Sequence, residues 1–286
     1  MSIKTPSVGF IGQGFVGKSY ADDFKKRGYS VTRYALEEPY RKNKDKIKEC
    51  EVVFICVPTP TMSGGFDVSI VEDGLRFLRK GAIAVIKSTL IPGGTARLQK
   101  KFPNIIIVFS PEFLNTSTAA KDAAHPFANI LGLPIKDAQH KKAARLIHRI
   151  LPRAPFSLFC SSEEAEIYKY AHNVSGYMQV LTYNLMYDTA VYWGADSSAI
   201  QKALEKDPMV SNWYIRPVHK SGRGAGGPCF IKDFAAFAAQ YDKFGQREGR
   251  ALLKAAQKHN ISLLTATKKD MKLLREVYGA QVSKRT

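Results

Sequence analysis

The sequence predicts an α/β protein: a Rossmann-type, doubly wound sheet that is largely parallel, followed by an all-helical domain with a long central helix. Three observations predict it. Short, wholly apolar runs alternate with amphipathic segments through the first 160 residues, the arrangement of βαβ units. A glycine cluster, Gly12-Gln13-Gly14-Phe15-Val16-Gly17, joins the first apolar run to the first amphipathic segment. Beyond Ser161 no proline occurs until Pro208, and apolar residues recur at spacings of three and four, which is helical.

Strands are expected at 8–11, 30–34, 52–57, 82–86, 105–109, 129–133 and 156–159. They are apolar throughout, as strands are when both sheet faces are covered. Helices are expected between them at 15–27, 68–79, 94–101 and 138–150. Ser162 followed by Glu163-Glu164 starts the long helix, with a capping hydroxyl and acids at the positive helix end. Ile167, Ala171, Val174, Met178, Leu181 and Leu185 form its apolar stripe. A helix reaching Trp193 is about 48 Å long at ~1.5 Å per residue; such a helix joins domains or forms a subunit interface. More helix is expected at 197–205, 233–241, 250–259 and 268–278. The domains are therefore placed at 1–160 and 161–286.

The 286 residues suit two domains, with 45% hydrophobic and 24% charged residues, which excludes a disordered or low-complexity chain. No apolar run approaches the ~20 residues of a membrane helix. The N-terminus enters a strand at once and carries no cleavable signal pattern, so the expected location is cytoplasmic, with no membrane partner. A net charge of +18 fits either an anionic partner or a lysine-rich surface, because the basic residues are scattered. The run Arg41-Lys42-Asn43-Lys44-Asp45-Lys46-Ile47-Lys48 reads as a solvated helix. Cys50, Cys56, Cys160 and Cys229 show no zinc spacing, and no metal site is expected. Cys56 sits in an apolar strand and is expected in the core.

The glycine cluster follows a strand and opens a helix, as a dinucleotide fingerprint requires; it permits a tight turn and close approach of a pyrophosphate to the helix N-terminus. The acid expected about 20 residues on is replaced by Ala35. Glu37 or Glu38 could serve the ribose, and Arg33 could favour a 2′-phosphate. Val57-Pro58-Thr59-Pro60, Lys87-Ser88-Thr89 and Ser110-Pro111-Glu112-Phe113 each end a parallel strand, where ligands bind in open α/β sheets. Thr89 offers a hydroxyl and Glu112 a base or water-binding acid; each also reads as ordinary loop chemistry. Lys169 and Asn173 share one helix face, either to hold a substrate oxygen and its developing charge or as an exposed polar pair. In Gly222-Arg223-Gly224-Ala225-Gly226-Gly227-Pro228-Cys229-Phe230-Ile231-Lys232-Asp233 a glycine loop delivers a cysteine to a helix start. Amides and helix dipole there favour a nucleophilic thiolate.

Together GFIGQGFVG, VPTP, KSTLIPGGT, SPEFL, AEIYKYAHN and GGPCFIKD resemble the UDP-glucose/GDP-mannose dehydrogenase family over roughly residues 7 to 260. The resemblance implies oxidation of the C6 alcohol of a nucleotide sugar, UDP-glucose foremost, to a carboxylate with two NAD. It implies Cys229, Lys169, Asn173, Asp233, Glu112 and Thr89 as catalytic residues. It places the cofactor on Gly12, Gly14, Phe15, Val16, Gly17, Val57, Pro58, Thr59 and Thr89. It places the substrate on Glu112, Phe113, Leu114, Lys169, Asn173, Arg216 and Gly226. The departures are Ala35, Ala225 where an aromatic is common, Arg223 where an apolar residue is usual, a shortened stretch between the second and third strands, and no counterpart of the family's third domain.

Two alternatives stand beside this expectation. One is a single-hydride β-hydroxyacid dehydrogenase, which Cys229 argues against. The other is a basic scaffold or nucleic-acid-binding protein on the same fold, ranked third. A homodimer through the long helix is expected, because its stripe outruns one small domain.

Overall fold

The computed structural model describes residues 5–62, 65–211, 213–280 and 282. Along the chain come β1 (Val8–Ile11), α1 (Phe15–Lys26), β2 (Val31–Tyr34), a 3-10 turn (Arg41–Asn43) leading into α2 (Lys44–Lys48), and β3 (Val52–Ile55). A short antiparallel pair, β4 (Thr61–Met62) and β5 (Gly65–Phe66), precedes α3 (Ser69–Arg76), β6 (Ile83–Ile86), α4 (Gly94–Lys101), β7 (Ile106–Phe109) and α5 (Ala119–Ala124). Then follow β8 (Ala128–Leu133), α6 (Ala138–Ile150), β9 (Phe156–Ser161) and the 31-residue α7 (Ser162–Tyr192). The chain continues through α8 (Ser197–Leu204), the pair β10 (Val218–His219) and β11 (Gly222–Arg223), α9 (Gly227–Tyr241), α10 (Arg247–Ala266) and α11 (Met271–Tyr278).

The described residues form two compact units. The first takes residues up to 59 together with 67–169; the second takes the β4–β5 pair and the residues from 170 onward. In the first unit seven strands lie in the order β2-β1-β3-β6-β7-β8-β9. β1, β2, β3, β6 and β7 pair in parallel. β2 and β3 flank β1 on opposite sides, which creates the switch point where such sheets open a crevice at their carboxyl ends. β8 runs antiparallel to β7, and β9 parallel to β8. The short α5 packs on α1 and makes no crossover back along the sheet, which a parallel β8 would need. The four central strands are buried on both faces, Ile83 and Ile106 at their starts excepted. Phe10 stacks on Phe54 at 4.8 Å, and Phe24 meets both edge-on. Each buried aromatic ring there contributes roughly 1.5–3 kcal/mol.

The second unit packs the later turns of α7 with α9, α10 and α11. Tyr177, Val180, Leu181, Phe234, Leu253, Ala256 and Leu263 form its core, and Tyr177 stacks on Phe234 at 3.8 Å. α9 starts at Gly227, ahead of the expected 233, so Cys229 lies inside its first turn.

The long helix forms as expected, but its buried face does not. Of the expected stripe, Ile167, Ala171 and Leu185 are exposed, Val174 and Met178 are half-buried, and only Leu181 is buried. The buried side runs through Glu166, Lys169, Tyr170, Asn173, Tyr177, Val180 and Asn184. Charged and amide groups can be buried where each finds a partner, and Glu166, Lys169, Asn173 and Asn184 all do. The Glu166 carboxylate accepts from Gly93 N at 2.6 Å and from Thr95 N and Oγ1 at 2.7 and 2.6 Å. It thereby caps α4, whose own N-cap Gly93 has no side chain to do so. Burial pushes its carboxyl above the usual range, opposed by those hydrogen bonds. Glu166→Leu would leave three donors unmet, two of them buried, so it should cost about 3 kcal/mol and lower the urea midpoint. Glu166→Gln, which keeps an acceptor, should cost less.

Candidate functional site

The first unit's glycine turn is built for close approach. Gly12 has φ +90°; a Cβ there would strike the Cys56 carbonyl, and one on Gly17 would strike the Gly12 carbonyl. Gly14, the N-cap of α1, faces open space. α1 has no acid in its first turn and no side-chain cap. Amides, a positive helix end and room beside them fit a dinucleotide pyrophosphate. Phe15 is exposed and Val16 half-buried at this mouth. Val57 N donates to Ser88 Oγ at 3.0 Å and Ser88 Oγ donates to Val57 O at 2.7 Å, tying the two strand-end loops together. Pro58 is exposed; Thr59 and Thr89 are buried. On the ribose side Ala35 is buried, Glu37 and Glu38 are exposed, and Arg33 is bound to Asp22 at 2.7 Å. Arg33 is thus engaged with a carboxylate on α1.

Buried charges gather at the carboxyl ends of β6 and β7. Lys169 Nζ donates to Glu112 O at 2.5 Å and to Glu112 Oε1 at 3.3 Å, and lies 5.1 Å from the Phe113 ring centroid. Glu112 Oε2 accepts from Leu114 N at 2.8 Å. Both Glu112 oxygens are therefore held, with the residue 7% exposed. Lys87 Nζ donates to Ser110 O and Oγ at 3.2 and 3.0 Å and lies over the Tyr20 ring at 4.5 Å. Burial brings the Lys87 ammonium down to about 8; Cys56 and Glu112 oppose this, and Lys169 adds to it. Burial also pushes the Cys56 thiol up to about 12; Cys56 follows the end of β3 and is half-buried against the first unit's core, outside the fully buried set expected for it.

In the second unit Asn173 Nδ2 donates to Asp233 Oδ2 at 2.5 Å, and Lys232 pairs with the other Asp233 oxygen. Asp233 is 1% exposed. With amide and ammonium both donating, its carboxylate is set as an acceptor. Cys229, half-buried, is four residues before Asp233 on α9. The loop before it is pinned: Ala225 N and O bond Asn260 Oδ1 and Nδ2 at 2.7 and 3.0 Å. Arg223 bonds Asn184 Oδ1 at 2.8 Å and Asp188 at 2.6 Å, over the Tyr187 ring. Arg216 is exposed and paired with Glu205 at 3.3 Å, while Gly226 lies half-buried beside Lys269 and Asp270.

The structure thus brings together Glu112, Phe113, Leu114 and Lys169 in one cluster, and Asn173 and Asp233 in another. Sequence pattern places Lys87, Ser88 and Ser110 in strand-end motifs without a role of their own, and passes over Tyr20, Glu166 and, in the second unit, Asn184, Asn260, Lys269 and Asp270. Lys87 carries a local signal, a lysine at the end of an apolar strand. Among the described residues, no group of His, Cys, Asp and Glu is placed to hold a metal ion, and no helix is long and apolar enough to cross a membrane.

A mostly parallel sheet with a glycine turn at its switch point, followed by a helical unit headed by a long helix, defines a dinucleotide-dependent dehydrogenase architecture. Residues 36–151 match the NAD-binding domain of the UDP-glucose/GDP-mannose dehydrogenase family, and residues 163–262 match its central domain. The chain belongs to that family and carries its NAD-binding domain. A putative UDP-glucose 6-dehydrogenase of Bacillus subtilis, YtcA, is 31% identical over 211 residues, covering 69% of this chain and 48% of that protein. The chain spans about half the length of that relative. A UDP-glucose dehydrogenase structure from Pyrobaculum islandicum superposes with a TM-score of 0.77 at 23% identity, over 93% of this chain and 72% of that one. Mycobacterium tuberculosis 3-hydroxyisobutyrate dehydrogenase superposes with a TM-score of 0.70 at 14% identity, over 91% and 94%.

Lys87 makes the stability of the first unit depend on pH. Its folded value of about 8 lies below the ordinary 10.5, so between these values the unfolded chain binds more protons and stability rises with pH. The stability difference between the natural protein and Lys87→Met should move in favour of the natural protein by up to about 3 kcal/mol from pH 7 to pH 10.5. Urea titrations across that range test this; a difference that stays flat with pH contradicts it.

Proposed function

We propose that this chain oxidises the C6 alcohol of a nucleotide sugar, UDP-glucose, to the uronic acid in two NAD-dependent steps, with Cys229 carrying the intermediate. The observation that carries the reading is the placement of Cys229: the first turn of a helix, at the end of a loop whose backbone is held at Arg223, Ala225 and Gly227 by side chains from elsewhere. A helix N-terminus favours the thiolate form of a cysteine placed there. A purely structural cysteine has no use for such a mount.

NAD bound at the glycine turn supplies the hydride acceptor for each oxidation. The chain's own groups supply the rest. In the first oxidation the alcohol gives up a hydride and a proton and becomes an aldehyde. The Cys229 thiolate then adds to the aldehyde carbon, and the resulting oxyanion takes a proton, giving a thiohemiacetal. Lys169 and Asn173 donate to the oxygen as charge develops on it. Loss of a second hydride and a proton leaves a thioester. Asp233, an acceptor held by Asn173 and Lys232, orients the water that attacks it; the carboxylate leaves and the Cys229 thiolate is restored. Glu112 and Thr89 order water and move protons in this reading. Phe113, Leu114, Arg216 and Gly226 border the substrate in this reading.

The exposed apolar residues on and just after α7 support a second copy as partner. Leu185, Met186, Val191, Tyr192 and Trp193 are all exposed, and several large apolar side chains uncovered at one end of a helix mark an interaction surface. The protein should sediment at twice the 31.8 kDa chain mass, and Leu185→Glu together with Tyr192→Asp should return it to one. A single-copy mass for the unaltered protein contradicts this part.

A second reading, one hydride transfer on a β-hydroxyacid, is favoured by the extent of the likeness to 3-hydroxyisobutyrate dehydrogenase, which reaches 94% of that chain. One assay separates the two. Incubated with UDP-glucose and excess NAD, the protein should yield two reduced cofactors per sugar, and Cys229→Ser at most one. Two per sugar from Cys229→Ser would overturn the covalent step. Turnover of hydroxyisobutyrate with one reduced cofactor, and none of nucleotide sugars, would replace the first reading with the second.

A further inference from the structure

The turn between α10 and α11 has an unusual build. Lys268 and Asp270 are non-glycine residues in the left-handed region, with φ of 54° each. Such a conformation costs about 1 kcal/mol or more and persists where the surroundings impose it. Asp270 is the N-cap of α11, where an aspartate ordinarily bonds its own helix. Its side chain makes no such bond. The Asp270 carboxylate instead accepts from Gly227 N at 2.7 Å, the first residue of α9.

Its neighbour reaches the same loop. Lys269 Nζ donates to Gly224 O at 2.9 Å and Gly222 O at 3.3 Å, and the side chain is buried. Thr267 Oγ1 accepts from Arg223 N at 3.2 Å. A Cβ on Gly226 would collide with Asp270 Oδ2 and Lys269 Cε, so glycine at 226 is what lets the two charges press against the loop. Thr267, Lys269 and Asp270 lie beyond the stretch that matches the family's central domain, which ends at 262.

We propose that Asp270 and Lys269 are positioning residues for Cys229: they fix the loop that presents the thiol and set the charge around the N-terminus of α9. The inference rests on the reading of Cys229 as nucleophile. The two residues act with opposite sign. The Asp270 carboxylate occupies a first-turn amide and places negative charge where a thiolate would be stabilised, which restrains the thiolate. The Lys269 ammonium offsets it. Other charged or titratable groups around this end of α9 are Lys232 and Asp233 on α9 itself, Lys220 and His219 at the β10–β11 turn, and Tyr278 on α11. The bond to Gly227 N is made by Asp270.

The sign difference supplies the test. Alkylation of Cys229 by iodoacetamide, located by peptide mass spectrometry, reports thiolate without needing turnover. Asp270→Asn keeps an acceptor for Gly227 N and removes the charge. It should speed alkylation at pH 7.5 roughly five-fold and shift the pH midpoint of the rate downward. Lys269→Met should slow alkylation and shift the midpoint upward. A role confined to bracing the loop would move both variants the same way, or neither, and either result overturns the proposal. If Lys269→Met does not fold, as read by circular dichroism, the direction of the Asp270→Asn shift decides alone. Should the protein oxidise no nucleotide sugar while the two variants shift in opposite directions, the proposed reaction fails and this inference stands. Dehydrogenase activity with unmoved alkylation would sink this inference and leave the proposed reaction standing.

Discussion

A polar group taken out of water must be met by a partner, and Glu166, Lys169, Asn173 and Asn184 on the buried face of α7 obey that rule. Glu166 caps α4, Lys169 holds the backbone and carboxylate of Glu112, Asn173 holds Asp233, and Asn184 receives Arg223. Each of these α7 side chains is buried, and losing one partner would strand the other, at a cost of roughly 1–3 kcal/mol for a neutral group and more for a charged one. A 31-residue helix that needed only to be stable would bury leucines. This one buries donors and acceptors, and Lys169 and Asn173 are fastened to elements that carry candidate chemistry.

The same constraint governs the cysteine loop. Residues 222–227 belong to no extended ladder and make a run of buried or half-buried backbone. Their amides and carbonyls are met by Asn260, Thr267, Lys269 and Asp270. A mount of this kind keeps the first turn of α9 in place, which matters because an ångström of misplacement at a reacting atom costs orders of magnitude in rate.

Much of the fold is legible because the central strands are unbroken apolar runs such as Val52-Val53-Phe54-Ile55, bounded by turn residues. The glycine turn is legible because Gly12, Gly14 and Gly17 follow such a strand directly. The buried face of α7 departs from the expected one for a physical reason. Periodicity assigns the apolar side to the core, and here Glu166, Lys169 and Asn173 are inside while Ile167 and Ala171 are outside. Partners far along the chain make that arrangement stable: Glu166 meets Thr95 from 71 residues away, and Lys169 meets Glu112 from 57. Asp270 and Lys269 escape a reading of the sequence for the same reason, since nothing near residue 270 announces a bond to Gly227. The reversed β8 likewise depends on where α5 packs, which local pattern does not encode.

The central claim is that these buried polar contacts serve a covalent reaction at Cys229 and do more than brace the fold. Rapid acid quenching of the protein with UDP-glucose and NAD, followed by intact-mass and peptide analysis, tests it most directly. The account predicts a population whose mass is raised by one sugar-nucleotide acyl group, with the addition mapped to the peptide containing Cys229. Reduced cofactor accumulating with no adduct on that peptide at any quench time would contradict it.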